Sequence, residues 1–185
     1  FIINFLKTID NPFDDVALLS VMRHPVVGFT DDEFLSIRLS KPKGYFYSSM
    51  QHYIRNNDTA LKEKLNDFVG MLRDFYEKSK YLSADKLIGE VIAKTDYMSY
   101  VAFMHNPELR KANVEALLIR AYDFERISYK GIFNFIKYLK KNHKRKQIWN
   151  RSIPYPSTKP LRLLPPTRAA DAHSARFTTS LRTIS

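Results

Sequence analysis

The sequence predicts an all-α fold: an irregular bundle of about eight or nine helices, followed by an extended or disordered C-terminal tail. Three observations carry this prediction. Apolar residues recur at helical spacing as far as about residue 143. Proline, glycine and capping residues interrupt that pattern at short intervals. Two-residue alternation never persists beyond a few positions, so no strand is expected.

Each element has a local justification. The first helix stops at Asp10-Asn11-Pro12, because Pro12 disfavours helical geometry at Asn11. A second runs from about Asp14 to Arg23; His24-Pro25 ends it and Gly28 permits a tight reversal. Thr30-Asp31-Asp32-Glu33 is a capping-box signature for a third helix reaching about Leu39. Lys41-Pro42-Lys43-Gly44 reads as a loop, and a helix follows from about Tyr45 to Arg55. Thr59 caps the longest helix, to about Lys80, along which Leu61, Leu65, Phe68, Leu72 and Phe75 form a narrow apolar seam. Ser83 is expected to cap a helix ending near Lys94, and Asp96 to start a short one. Asn106-Pro107 opens a helix to about Arg126, with Asn106 as cap, and Ser128 begins the last, to about Asn142.

The tail from Lys144 is different in kind. It holds Pro154, Pro156, Pro160, Pro165 and Pro166 without periodic apolar residues, so chain entropy is expected to keep it extended or disordered. It also holds much of the charge. The chain carries a formal +11, but nine Lys or Arg residues stand against the single acid Asp171 after His143, and the preceding residues carry 21 basic and 18 acidic groups. The folded part is therefore nearly balanced, and bulk charge argues only weakly for nucleic acid there.

Composition excludes several classes. With no cysteine there are no disulfides, thiol nucleophiles or thiolate metal sites, which fits a reducing cytoplasm. No apolar run approaches the ~18 residues of a membrane span, and the opening Phe1-Ile2-Ile3 segment lacks the basic leader of a signal peptide. The chain starts within a periodic segment and without methionine, and so reads as a fragment. None of the five histidines has a second ligand at helical spacing, so no metal site is expected. Asp14-Asp15 and Asp31-Asp32-Glu33 sit at helix starts, where carboxylates complement the helix dipole. No glycine precedes a Gly-Lys-Ser/Thr phosphate loop, so the segment has neither catalytic residues nor an ATPase site of its own. The aromatics Tyr45, Phe46, Tyr47, Tyr53, Phe68, Phe75, Tyr76, Tyr97, Tyr100 and Phe103 fit a core, or base stacking where exposed. One charge pattern is sharper: Arg126, Lys130, Lys137, Lys141 and Lys144 fall on one helical stripe opposite Ile132, Phe135, Ile136 and Leu139. It either follows a phosphate backbone or is an ordinary solvated face.

The order of motifs resembles the UvrD/PcrA-like superfamily 1 helicases, and most closely the AddA (RexA) subunits of bacterial AddAB helicase–nucleases. The residues concerned are the Leu6-to-Pro12 run with Arg23-His24-Pro25-Val26-Val27-Gly28, then Arg110 and Asn113 leading to Phe124-Glu125, then Gly131-Ile132-Phe133-Asn134-Phe135. The resemblance covers about residues 1–143, implying a helical 2B-like subdomain with residues 1–23 near its boundary with domain 2A. It makes Asn11, Pro12, Arg110, Asn113, Glu125 and Gly131 motif residues; Arg110 and Asn113 are either loop-fixing or functional. It implies that the turn bearing Arg23, His24, Gly28 and Thr30 contacts duplex DNA, although the turn has one glycine where smaller relatives are Gly-rich.

For the whole parent, the resemblance implies an ATP- and Mg2+-dependent 3′→5′ DNA helicase joined to a nuclease, acting in the cytoplasm in double-strand-break repair. Its partners would be double-stranded DNA, the remaining helicase domains and an AddB/RexB-type subunit, with no membrane. After Asn142 the family continues through an acidic linker, whereas this chain has Gln147-Ile148-Trp149-Asn150. Read one nucleotide earlier, those codons are compatible with Asp-Leu-Glu-Pro-Val, similar to the family linker, so residues 144–185 are expected to be out of frame or otherwise not native. Two other readings stay open: a non-enzymatic helical interaction module, and a small basic regulator whose tail binds nucleic acid.

Overall fold

The computed structural model describes residues 1–127 and 131–152, with backbone alone at 127 and 143–152. These residues form nine helices and no strand: α1 (Ile2–Asp10), α2 (Asp15–Met22), α3 (Asp31–Ser40), α4 (Phe46–Asn56), α5 (Ala60–Ser79), α6 (Ala84–Lys94), α7 (Tyr97–Ala102), α8 (Pro107–Ile127) and α9 (Ile132–Ser152). The all-α class is as expected. Among the described residues no helix is long and apolar enough to cross a membrane.

Local chemistry sets the breaks. Asn11 Oδ1 accepts from the Phe13 amide at 3.1 Å, turning the chain after α1, and Asp14 caps α2 by accepting from Ala17 N at 3.1 Å. Both halves of the Thr30–Glu33 capping box form at the start of α3. Two helices are capped from elsewhere in the fold. At α4, Tyr45 occupies the cap position without a side-chain bond, and Asp15 Oδ1 of α2 accepts from Phe46 N at 2.8 Å. At α6, Ser83 makes no cap bond, contrary to expectation; Glu125 Oε1 of α8 accepts from Ala84 N at 2.9 Å instead. A carboxylate at a helix N-terminus meets both an orphan donor and the positive dipole end, so either source satisfies the helix.

The core is organised around α5. Leu65, Phe68, Leu72 and Phe75 of its seam are buried, while Leu61 is half-buried. The helix lies against α1, α4 and α6. Phe75 meets Phe5 of α1 edge-on with ring centroids 5.5 Å apart, and Phe68 meets Phe29 at 5.7 Å. The aromatics divide: Phe46, Tyr53, Phe68 and Phe75 are buried, but Tyr45, Tyr76 and Phe103 are exposed.

The last helix departs from expectation at both ends. It starts at Ile132 rather than Ser128, after Gly131 with φ +116°, a conformation that L side chains rarely adopt. It continues to Ser152, beyond the expected limit at Asn142. Loss of apolar period does not end a helix, since Lys, Arg and Gln sustain one. The expectations for residues 153–185, whether disorder or a shifted reading frame, lie outside the described residues.

Candidate nucleic-acid interface

The turn between α2 and α3 brings Arg23, His24, Gly28 and Thr30 together. A turn that cradles phosphate needs free amides and free cations. Here the amides are engaged internally. Val26 N donates to His24 Nδ1 at 3.3 Å, and Val27 N and Gly28 N both donate to His24 O at 2.8 Å. Phe29 N donates to Met22 O at 3.0 Å and Thr30 N to Glu33 Oε2 at 2.8 Å. Arg23 is held by Asp31, its Nη2 lying 2.5 and 2.7 Å from the two carboxylate oxygens. His24 sits among rings, its centroid 4.4 Å from that of Phe1 and 4.9 Å from that of Tyr100. Burial there pushes the imidazole below its ordinary value and keeps it neutral, as an acceptor at Nδ1 must be.

Lys64 of α5 locks this turn, a role that no local pattern around it announces. Its Nζ donates to Gly28 O at 2.8 Å and to both Glu33 oxygens at 2.8 and 2.9 Å, and lies 4.4 Å from the Phe29 ring centroid. Burial alone would raise the Glu33 carboxyl, but the hydrogen bonds from Lys64 and the Thr30 amide hold it below the usual carboxylate value. A cleft of about 680 Å³ beside the turn is lined by Asp67, Asp74 and Asp96 as well as Lys64 and Lys94, a wall of mixed sign with acids in the majority. The turn is thus built as a structural elbow.

The basic residues of the C-terminal helices do not form the single stripe expected of them. Arg126 belongs to the last turn of α8, and beyond the break α9 packs against α1, touching α8 through Phe124, whose ring meets Phe135 and Tyr138 at 5.5 and 5.1 Å. A stripe requires one continuous helix, and the break before Ile132 removes it. Lys130 and the Lys144 side chain lie outside the described residues. What remains is a cationic face on α9. Lys137 and Lys141 are exposed at i, i+4 spacing, with Lys140 exposed beside them. Lys137 Nζ lies 4.1 Å from the Phe133 ring centroid, and the Arg126 guanidinium lies 5.9 Å from that of Tyr122. Among the described residues no acid pairs with Lys137, Lys140 or Lys141 within ion-pair distance, although Lys140 is near enough to Asp10 to lower that carboxyl against the dominant upward effect of its burial.

Several motif residues make contacts at turns and caps. Arg110 Nε donates to His105 O at 2.9 Å, fixing the turn into α8, whose preceding residue Asn106 adopts φ +55°. Asn113 is exposed on α8. Glu125 caps α6, and its second oxygen, Oε2, is buried without a hydrogen-bond partner. Asn11 and Pro12 form the α1–α2 turn. Among the described residues no group of three His, Asp or Glu side chains is placed to hold a metal ion.

No protein-family model matches the chain. Individual relatives do. It is 39% identical over 139 residues to the AddA-type component of the ATP-dependent helicase/nuclease of Alkaliphilus metalliredigens, covering 75% of this chain and 12% of that protein. The corresponding helicase/nuclease proteins of Syntrophomonas wolfei and Clostridium beijerinckii are 39% and 36% identical, over 75% and 76% of this chain and 12% of theirs. The chain thus belongs to the AddA family of ATP-dependent helicase/nucleases, of whose members it spans about an eighth.

Proposed function

We propose that this segment is the 2B-like accessory region of a DNA helicase–nuclease, residues 1–143 forming the helical body and residues 1–23 adjoining the 2A motor domain. It holds duplex DNA beside the motor and limits how the motor domains move. The parent supplies ATP and Mg2+ binding, unwinds with 3′→5′ polarity and works in the cytoplasm with an AddB/RexB-type subunit in double-strand-break repair. The observation that carries the DNA part is the cationic face of α9, where Lys137, Lys140 and Lys141 stand exposed with no acidic residue on the helix. Such unpaired cations displace counterions from a phosphate backbone on contact, which is the main source of sequence-independent affinity.

The test is charge reversal, Lys137→Glu with Lys141→Glu, read by duplex binding across a salt series. Affinity drops at low salt, and the slope of log affinity against log salt falls by about two, one for each lost phosphate contact. Unchanged affinity at low salt would sink the proposal.

A second reading is favoured by a different observation: Val16 on α2 and Leu35 and Leu39 on α3 are 80%, 57% and 66% exposed. Exposed apolar side chains suit a helical module that docks on protein. Within the parent, the remaining helicase domains are the natural cover for such side chains, so the readings diverge only if the segment binds protein and not DNA.

A further inference from the structure

A second cleft, of about 400 Å³, opens at the α1–α2 turn, and its lining is of another character from the mixed-sign wall beside the α2–α3 elbow. Three rings, Phe13, Tyr47 and Tyr76, line it over an apolar floor that includes Ile9 and Leu72. Phe13 and Tyr47 are already set edge to face, with centroids 5.4 Å apart. Phe13 and Tyr76 are 44% and 47% exposed, and Lys80 Nζ lies 4.7 Å from the Tyr76 ring centroid, a contact that a stacking base would share or displace. Arg73 stands at the rim, exposed and, among the described residues, without a carboxylate partner. Asp10 completes the lining, and it is the residue that feels Lys140 of the cationic α9 face. α1, which carries Asp10, packs against α9, so the cleft lies beside the helix that bears those lysines.

We propose that this cleft takes an unpaired nucleobase of a DNA strand whose backbone runs along α9. The inference rests on the DNA-holding reading of α9 and gives it a second, single-stranded component. Aromatic walls stack any base, and a guanidinium at the rim meets the attached phosphate. Asp10 is an acceptor for an exocyclic base amine, the contact a carboxylate makes with cytosine. The volume lies within the range of small-ligand clefts, large enough for one base and too small for a duplex. A lipid headgroup or an acidic peptide would engage Arg73 but leave the three rings unused.

The test is fluorescence anisotropy of the 185-residue chain with a labelled oligodeoxycytidylate of about ten nucleotides, against a matched strand with abasic sites in place of bases. The base-bearing strand binds more tightly. Tyr76→Ala weakens it about tenfold while Tyr76→Phe retains it, as loss of one stacked base requires. Arg73→Gln lowers the salt slope by about one. Tyr81→Ala, which removes an exposed ring outside the cleft, leaves binding unchanged. Equal binding of the abasic strand, or wild-type affinity in a folded Tyr76→Ala protein, overturns the proposal. If duplex affinity is lost on Lys137/Lys141 reversal but Tyr76→Ala binds single strands normally, the cleft assignment fails and the function of α9 stands. If the reversal has no effect while Tyr76→Ala abolishes the preference for bases, the cleft stands and the duplex reading fails.

Discussion

α5 and α9 are nearly equal in length, 20 and 21 residues, and both set an apolar face into the core beside several lysines. They use those lysines oppositely. On α5, Lys62 pairs with Asp58, Lys64 with Glu33, and Lys78 with Asp74 and Glu90, while Lys80 just beyond its end pairs with Glu77. On α9, the described lysines have rings or a distant carboxylate for company, but no ion pair. A cation already neutralised by a neighbouring acid has little to offer a phosphate, and a free one has much. The number of lysines on a helix does not distinguish a structural member from a binding face; their pairing does.

The largest effects should show the two helices as equals. Phe75→Ala on α5 and Phe135→Ala on α9 each delete a fully buried ring and should cost about 3–5 kcal/mol in urea unfolding. A loss confined to Phe75 would mean that α9 docks without contributing to the core.

Lys64→Ala separates them. It removes the Glu33 pair, the bond to Gly28 O and the Phe29 ring contact, and should cost about 1 kcal/mol, since the side chain is about a third exposed. Duplex affinity should not change; a loss comparable to that of the α9 reversal would return the elbow to the DNA-contacting surface. The pH dependence has a definite sign. The Glu33 carboxyl is held below its unfolded value, so its stabilisation is complete above that unfolded value and is lost as pH falls through the folded one. The gap between wild type and Lys64→Ala should therefore narrow in acid, which urea midpoints at neutral and acidic pH will read.

Glu125→Ala tests the cap that α8 gives α6. It should cost about 1 kcal/mol, the usual value of an N-cap, with Glu125→Gln losing less because an acceptor oxygen remains. Equal losses would shift the importance of Glu125 from the hydrogen bond to its charge.

How much of this was legible depended on sequence distance. Thr30 with Glu33, Asp14 at the start of α2, Pro12 and Gly28 all act within a few residues, and the helices they delimit lie close to where the sequence puts them. The α5 seam was equally legible, since four of its members are buried as the spacing implies. Partnerships across many residues were not. Lys64 meets Gly28 and Glu33 over 36 and 31 positions, and Glu125 reaches Ala84 over 41, distances that only the fold closes. Ser83 looks like a cap and its place is taken by Glu125, because any well-aimed carboxylate satisfies the same amide. The stripe from Arg126 to Lys144 failed for a related reason: helical spacing was counted across a break that Gly131 imposes. The family resemblance located the segment, while the pairing of its cations is decided by residues far apart along the chain.

The closed amide circuit from Val26 to Thr30 also bears on how this protein can be re-engineered. Surface loops are ordinarily where a chain accepts a tag, a reporter domain or new termini. This elbow is a poor choice, because any insertion opens several bonds together and releases Lys64 from Gly28 O. The exposed Pro42–Lys43 step is the better joint, because the bonds of its loop fall at the ends, where Lys41 O accepts from Ser49 Oγ and Gly44 O from Arg38; a fluorophore carried there would leave both the elbow and the α9 face intact for single-molecule work.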